Sequence, residues 1–210
     1  MPANEKSPRS SPTDGINFLL KEYETLRTFR QDLIALGDRR FNFFVSIISG
    51  AAIFLTWLSG QQKVNNIAIG IIIFGVLFLG LTTFARTVQR NSSIILYSRG
   101  MNRIRMYFVR HHPDMAEYLI LESHDGKPSF KSLSFSEQLP IMLAIMNGTV
   151  AGVALAIIVS FTLKWDITLI AIAGVGIFTI MLFSQIRYYN SEMRKRVSKF
   201  KINFPGEKTS

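Results

Sequence analysis

"QLPIMLAIMNGTVAGVALAIIVSFTL" (residues 138–163) contains no Asp, Glu, Lys or Arg. At about 1.5 Å of rise per residue, roughly 20 helical residues cross a ~30 Å hydrocarbon core. This stretch is long enough to span. Three more uncharged runs accompany it, at 41–62, 64–85 and 167–186, each rich in Ile, Leu, Phe and Val. Such side chains insert favourably at mid-bilayer. Two such runs could be core helices of a large enzyme, but four in 210 residues leave too little polar chain to cover them. The pattern predicts an all-α integral membrane protein, with four transmembrane helices as two hairpins and a small cytoplasmic helical bundle.

Composition agrees. Apolar residues make up 48% and charged ones 18%, with a mean hydropathy of +0.24. The chain has no cysteine, which excludes disulfides, thiolate zinc sites and cysteine nucleophiles. The first apolar run starts about 40 residues in, behind a charged helix, so no cleavable leader is expected.

The distribution of charge sets the orientation. Of 24 Lys and Arg, only Lys63 and Lys164 lie in the short tips "GQQKVNN" and "LKWD". By the positive-inside rule the other three polar regions are cytoplasmic, with both termini inside. The expected localisation is a multi-pass protein of the cell inner membrane. With almost nothing outside, a receptor for large external ligands is not expected.

Six segments follow. Residues 1–14 combine Pro, Ser and charge and are expected to be a disordered tail. Residues 15–40 form an amphipathic helix, with Thr13 or Asp14 as N-cap. Leu19, Leu26 and Leu33 are seven apart, with Phe29 and Leu36 in the offset positions of a heptad seam. The first hairpin covers 41–86, and a cytoplasmic region 87–137 continues its second helix without proline to Pro113. There Ile94, Met101 and Phe108 repeat every seven, with Tyr97 and Ile104 between them. Pairing the two seams in a small bundle would bury both. Asp114 and Glu117 suit the first turn of a short successor, "DMAEYLILE", and Ser136 could cap the third span. The second hairpin covers 138–187, and 188–210 is a basic tail.

Intramembrane ionisable groups usually mark ion pathways, proton relays or catalysis. The four runs hold none, so a coupled transporter and an intramembrane catalyst are disfavoured. In the third run Ala144, Gly148, Gly152, Ala156 and Ser160 recur every four residues. Such a stripe lets another backbone approach closely, either within the subunit or between subunits. Asn147 lies beside it, and an amide in hydrocarbon needs a partner.

"YSRGMNRIRMYFVRHHPDMAEY" (97–118) holds the richest chemistry. Arg86 and Arg90 can meet lipid phosphate, whereas Arg99, Arg103 and Arg105 lie more than a Debye length of about 8 Å below the boundary. They are expected to pair with acids of the first helix, namely Glu22, Glu24, Asp32 and Asp38, or to meet an anionic ligand or acidic partner. No nucleic-acid module accompanies them. His111, His112 and His124 with Asp114 and Asp125 lack the i,i+4 His spacing of a helical metal site. No metal or cofactor is expected. The tail's Arg187, Arg194, Lys195 and Arg196, interleaved with Tyr188 and Tyr189, suit an anionic membrane surface.

Two stretches carry resemblances. "LLKEYETLRTFRQDLIAL" and "YSRGMNRIRMYFVRHHPDMAEYL" resemble segments of small uncharacterised bacterial membrane proteins. In layout only, the chain is similar to four-helix membrane effectors of bacterial antiviral systems, which implies oligomerisation and breach of the inner membrane on a cytoplasmic signal. Arg105 and His111, spaced as Arg, five residues, His, are similar to the RNA-cutting pair of HEPN ribonucleases.

The sequence therefore favours a non-enzymatic homo-oligomer in the bilayer, an effector whose cytoplasmic helices receive a signal or partner and whose spans form or perturb a pore. Leu19, Leu26, Leu33, Ile94, Met101 and Ile104 are expected to carry cytoplasmic association with a protein partner or anionic signal. Ala144, Asn147, Gly148, Gly152 and Ala156 are expected to carry packing in lipid, and Arg99, Arg103 and Arg105 to meet the acidic partner. The alternatives are a passive scaffold subunit of a larger membrane complex and a membrane-anchored HEPN-like ribonuclease.

Overall fold

The computed structural model describes residues 12–60, 66–120, 126, 128, 138–162 and 166–201. Among these residues the structure is all-helical. The α-helices are α1 (Pro12–Ser59), α2 (Asn66–His111), α3 (Gln138–Thr162) and α4 (Ile167–Val197), and a short 3-10 helix occupies Pro113–Tyr118. All four α-helices are long and apolar enough to cross a membrane.

The first two helices run through the boundaries expected at 40 and 86. α1 is 48 residues and α2 is 46, and neither has an interior proline to interrupt its ladder. α1 begins at Pro12, where a missing N–H removes no helical bond. Thr13 and Asp14, expected as caps, therefore lie in its first turn, where Asp14 complements the helix dipole. The expected disordered tail otherwise lies outside the described residues, as does Ser136.

α2 stops at His111, two residues before Pro113, whose ring disfavours continuation. The expected α-helical successor is instead six residues of 3-10 helix, with no side-chain cap from His112. α4 starts with a built cap, Asp166 accepting a hydrogen bond from the Thr168 N–H at 3.0 Å. It continues to Val197, so the start of the expected basic tail is helical. Arg194, Lys195 and Arg196 occupy its last turn, where cations suit the dipole.

The chain divides into two compact units. One holds α1 through Asp32, α2 from Ile94, and Lys201. In this unit Leu26 packs on Gly100, where an added Cβ would lie 3.1 Å from a leucine methyl. The rings of Phe29 and Tyr97 are 6.0 Å apart. Met101 and Ile104 are buried, while Leu19, Leu26 and Ile94 are half-buried.

The second unit holds the rest of α1 and α2 with α3 and α4. Its core includes Phe44, Val76, Phe84, Val88, Leu143 and Met193. The small-residue stripe of α3 packs on α4 of the same chain. A Cβ at Gly148 would lie 3.0 Å from the Phe178 ring, and one at Gly152 would lie 2.7 Å from the Gly174 carbonyl oxygen. The two backbones touch there, which only glycine permits.

The seam on α1 differs from the expected one. From Leu19 to Phe44 the half-buried or buried positions are Leu19, Tyr23, Thr25, Leu26, Arg30, Leu33, Gly37, Arg40, Phe41 and Phe44. The leucines keep one seam position, but the offset position holds Tyr23, Arg30 and Gly37. Phe29 and Leu36 are exposed, at 50% and 39%. The reason lies on α2, which presents arginines to this face. Arg105 reaches the Tyr23 hydroxyl, and the Arg90 guanidinium occupies the space a side chain at Gly37 would need.

Candidate functional site

The second unit's interior is polar at one level, and all four helices build it. Asn147 on α3 is 0% exposed and Gln185 on α4 is 4% exposed. The Asn147 Nδ2 donates to the Gln185 Oε1 at 3.0 Å. α2 closes over the pair with Gly80, where any side chain would collide with Asn147 Oδ1 and with the ring of Phe44 from α1. One bond is made, but each amide carries two functions. Asn147 Oδ1 and Gln185 Nε2 are buried without a hydrogen-bond partner. An unmet buried polar atom costs about 1–3 kcal/mol.

One turn farther along α4, Tyr189 is also enclosed, and its hydroxyl accepts from Asn91 Nδ2 at 3.3 Å. The Asn91 Oδ1 accepts in turn from Arg90 Nε at 3.3 Å and Nη2 at 3.1 Å. Arg90 lies over Gly37 of α1. Two short hydrogen-bonded runs, Asn147–Gln185 and Tyr189–Asn91–Arg90, thus tie the helices together. Buried Thr87 and Ser92 bond back to the Thr83 and Gln89 carbonyls of their own helix. Amides, a phenol and a guanidinium can fix helix register.

The three arginines expected to meet an acidic partner lie in the other unit. Arg99 is 5% exposed, and its Nε donates to the Pro128 carbonyl at 3.2 Å. Arg103 Nη2 donates to the Lys201 carbonyl at 2.8 Å. Arg105 donates to Asn102 Oδ1 at 2.9 Å and to the Tyr23 hydroxyl, with its guanidinium 5.4 Å from the Tyr23 ring centre. Each arginine is engaged with a different group of the chain. Of the three, Arg99 is buried and Arg103 and Arg105 are half-buried.

His111 is exposed, its Nδ1 2.8 Å from the Tyr107 carbonyl and its ring 4.2 Å from the Tyr107 ring. Among the described residues no three His, Asp or Glu side chains gather as metal ligands. His124 and Asp125 lie outside the described residues.

The sequence signal for the second amide was available but incomplete. Gln185, Tyr189, Met193 and Val197 are the buried residues of α4, four apart. That spacing marks a face, yet α3 register is needed to know that Gln185 meets Asn147. Compared with known proteins, the chain matches no family model, no curated protein and no solved structure.

Proposed function

We propose that the chain is a non-enzymatic, oligomeric protein of the bacterial inner membrane. Its four helices cross as two hairpins with both termini in the cytoplasm, and a signal or partner received by the cytoplasmic helices leads the spans to open or perturb the bilayer. The observation that carries this reading is the distribution of apolar surface. No residue in the most apolar stretch of α4 is buried, and only 6% of the corresponding stretch of α1 is. Those faces suit lipid and further copies. An apolar groove of 260 Å³ between α1, α2 and α3, bounded by Ala51, Ala52, Val76 and Val153, offers a neighbour's side chain a seat. With no charged residue in the apolar runs, a water path would run between copies or through helices that rearrange.

Pairwise contacts support hairpins. Phe44 lies against Gly80 and Gly37 against Arg90, so α1 and α2 pass in opposite directions. Gly148 against Phe178 and Gly152 against Gly174 give the same relation for α3 and α4.

One observation favours the scaffold reading. The glycine stripe best suited to join subunits is already used within the chain. The mass of the detergent-solubilised particle, with dye release from liposomes, separates the two. An oligomer that releases dye supports the proposal, and a silent monomer that co-purifies with a stoichiometric partner selects the scaffold.

A further inference from the structure

We propose that the outward face at the end of α4 binds the phosphate of an anionic phospholipid, an inference that rests on the membrane reading above. A groove of roughly 740 Å³ lies along this face. Among the described residues its lining runs from Phe183 and Ile186 to Arg187, Ser191, Arg194 and Lys195. Spacings of three and four place Phe183, Arg187, Ser191 and Arg194 on one side of the helix. The buried side of α4, marked by Gln185, Tyr189, Met193 and Val197, is a separate set of positions.

The groove grades along its length. Phe183, 66% exposed, stands at one end, and Lys195 stands roughly 18 Å along the axis at helical rise. Two apolar side chains thus precede three cations, a hydroxyl and the amide of Asn190. None of the described lining residues is acidic. The nearest α4 acid, Glu192, lies off the lining, where its Oε1 accepts from Arg196 Nε at 2.8 Å. Guanidinium forks match phosphate oxygens, and the ammonium of Lys195 adds a point charge. A free phosphate would use only the cationic end. A phospholipid also uses the apolar end, with its chain on Phe183 and Ile186, and that favours lipid as the source.

Native mass spectrometry of the full chain in detergent, titrated with phosphatidylglycerol or phosphatidylcholine, tests this. The chain is expected to retain phosphatidylglycerol preferentially. Each removed cation should weaken retention about fivefold, and Arg187→Gln/Arg194→Gln/Lys195→Gln on the order of a hundredfold. The charge-matched variant Lys21→Gln/Arg39→Gln/Lys199→Gln should bind nearly as the parent does. Equal loss in that control would assign the effect to a diffuse field and overturn the groove, as would undiminished binding by the first variant. Competition by millimolar inorganic phosphate or glycerol phosphate would overturn the lipid source. If the triple variant loses its helical circular dichroism, the single variants Arg187→Gln and Arg194→Gln carry the test at fivefold each. Whether the chain sediments with membranes and needs detergent for release tests the membrane reading independently of these outcomes.

Discussion

Asn147 shows how a single side chain can organise a greasy interior. Its amide spends one hydrogen bond on Gln185, and one polar atom of each residue remains unmet. Replacing Asn147 by Leu should destabilise the folded chain in detergent by about 1–2 kcal/mol, since Gln185 then loses its acceptor's counterpart in an enclosed site. Removing both, as Asn147→Leu/Gln185→Leu, should recover most of that loss, and equilibrium unfolding of the two variants gives the comparison. At Gly152 the argument is steric. A valine there would press on the Gly174 carbonyl, and overpacking of this kind costs about 1–3 kcal/mol, to be read as a lower Tm. Both positions stood out in the sequence, Asn147 as an amide needing a partner and Gly152 as part of a stripe. What stayed hidden was the partner. Gln185 is 38 residues from Asn147, and only the packing of α3 on α4 selects it from the other polar side chains of its helix.

The helices were legible at their charge-free stretches and less so at their faces. Hydropathy identifies four helices apolar enough to span because lipid would demand the same property of all of them. Which stripe of α1 turns inward depends on what α2 presents, and that is not a local property. Hydrophobicity favoured Phe29 and Leu36 as offset positions, while Tyr23, Arg30 and Gly37 hold them. Leu36→Ser should therefore change stability by no more than about 0.5 kcal/mol, as at other exposed sites. Gly37→Leu should instead displace Arg90 from its place beside Asn91 and lower the unfolding midpoint clearly. Reversal of that order in a thermal melt would return the seam to Phe29 and Leu36. The end of α4 shows the same dependence on context. Its run of basic residues was visible, but its division into buried and groove-lining positions follows from a helix that persists to Val197.

At the scale of the whole chain, composition made the membrane reading possible and the absence of cysteine makes it testable. A cysteine introduced at Lys63 or at Lys164 is the only thiol present. Each should react with an impermeant maleimide added to intact cells, whereas one at Lys199 should react only after permeabilisation. Labelling of Lys199→Cys from outside would invert the proposed sidedness. Function was much less legible than the helical fold, because amides, hydroxyls and arginines leave no reaction-specific spacing to read. The unbroken α1 also constrains its own phase. No loop lies between Leu33 and Phe44 to absorb an error in phase, so the azimuths along that stretch are indexed to one another. A single alanine inserted after Asp38 would turn Leu33 and Gly37 by roughly 100° against Phe44, while seven would bring them back to within about 20°. Insertion length, more than the identity of what is inserted, should decide whether the protein survives the change.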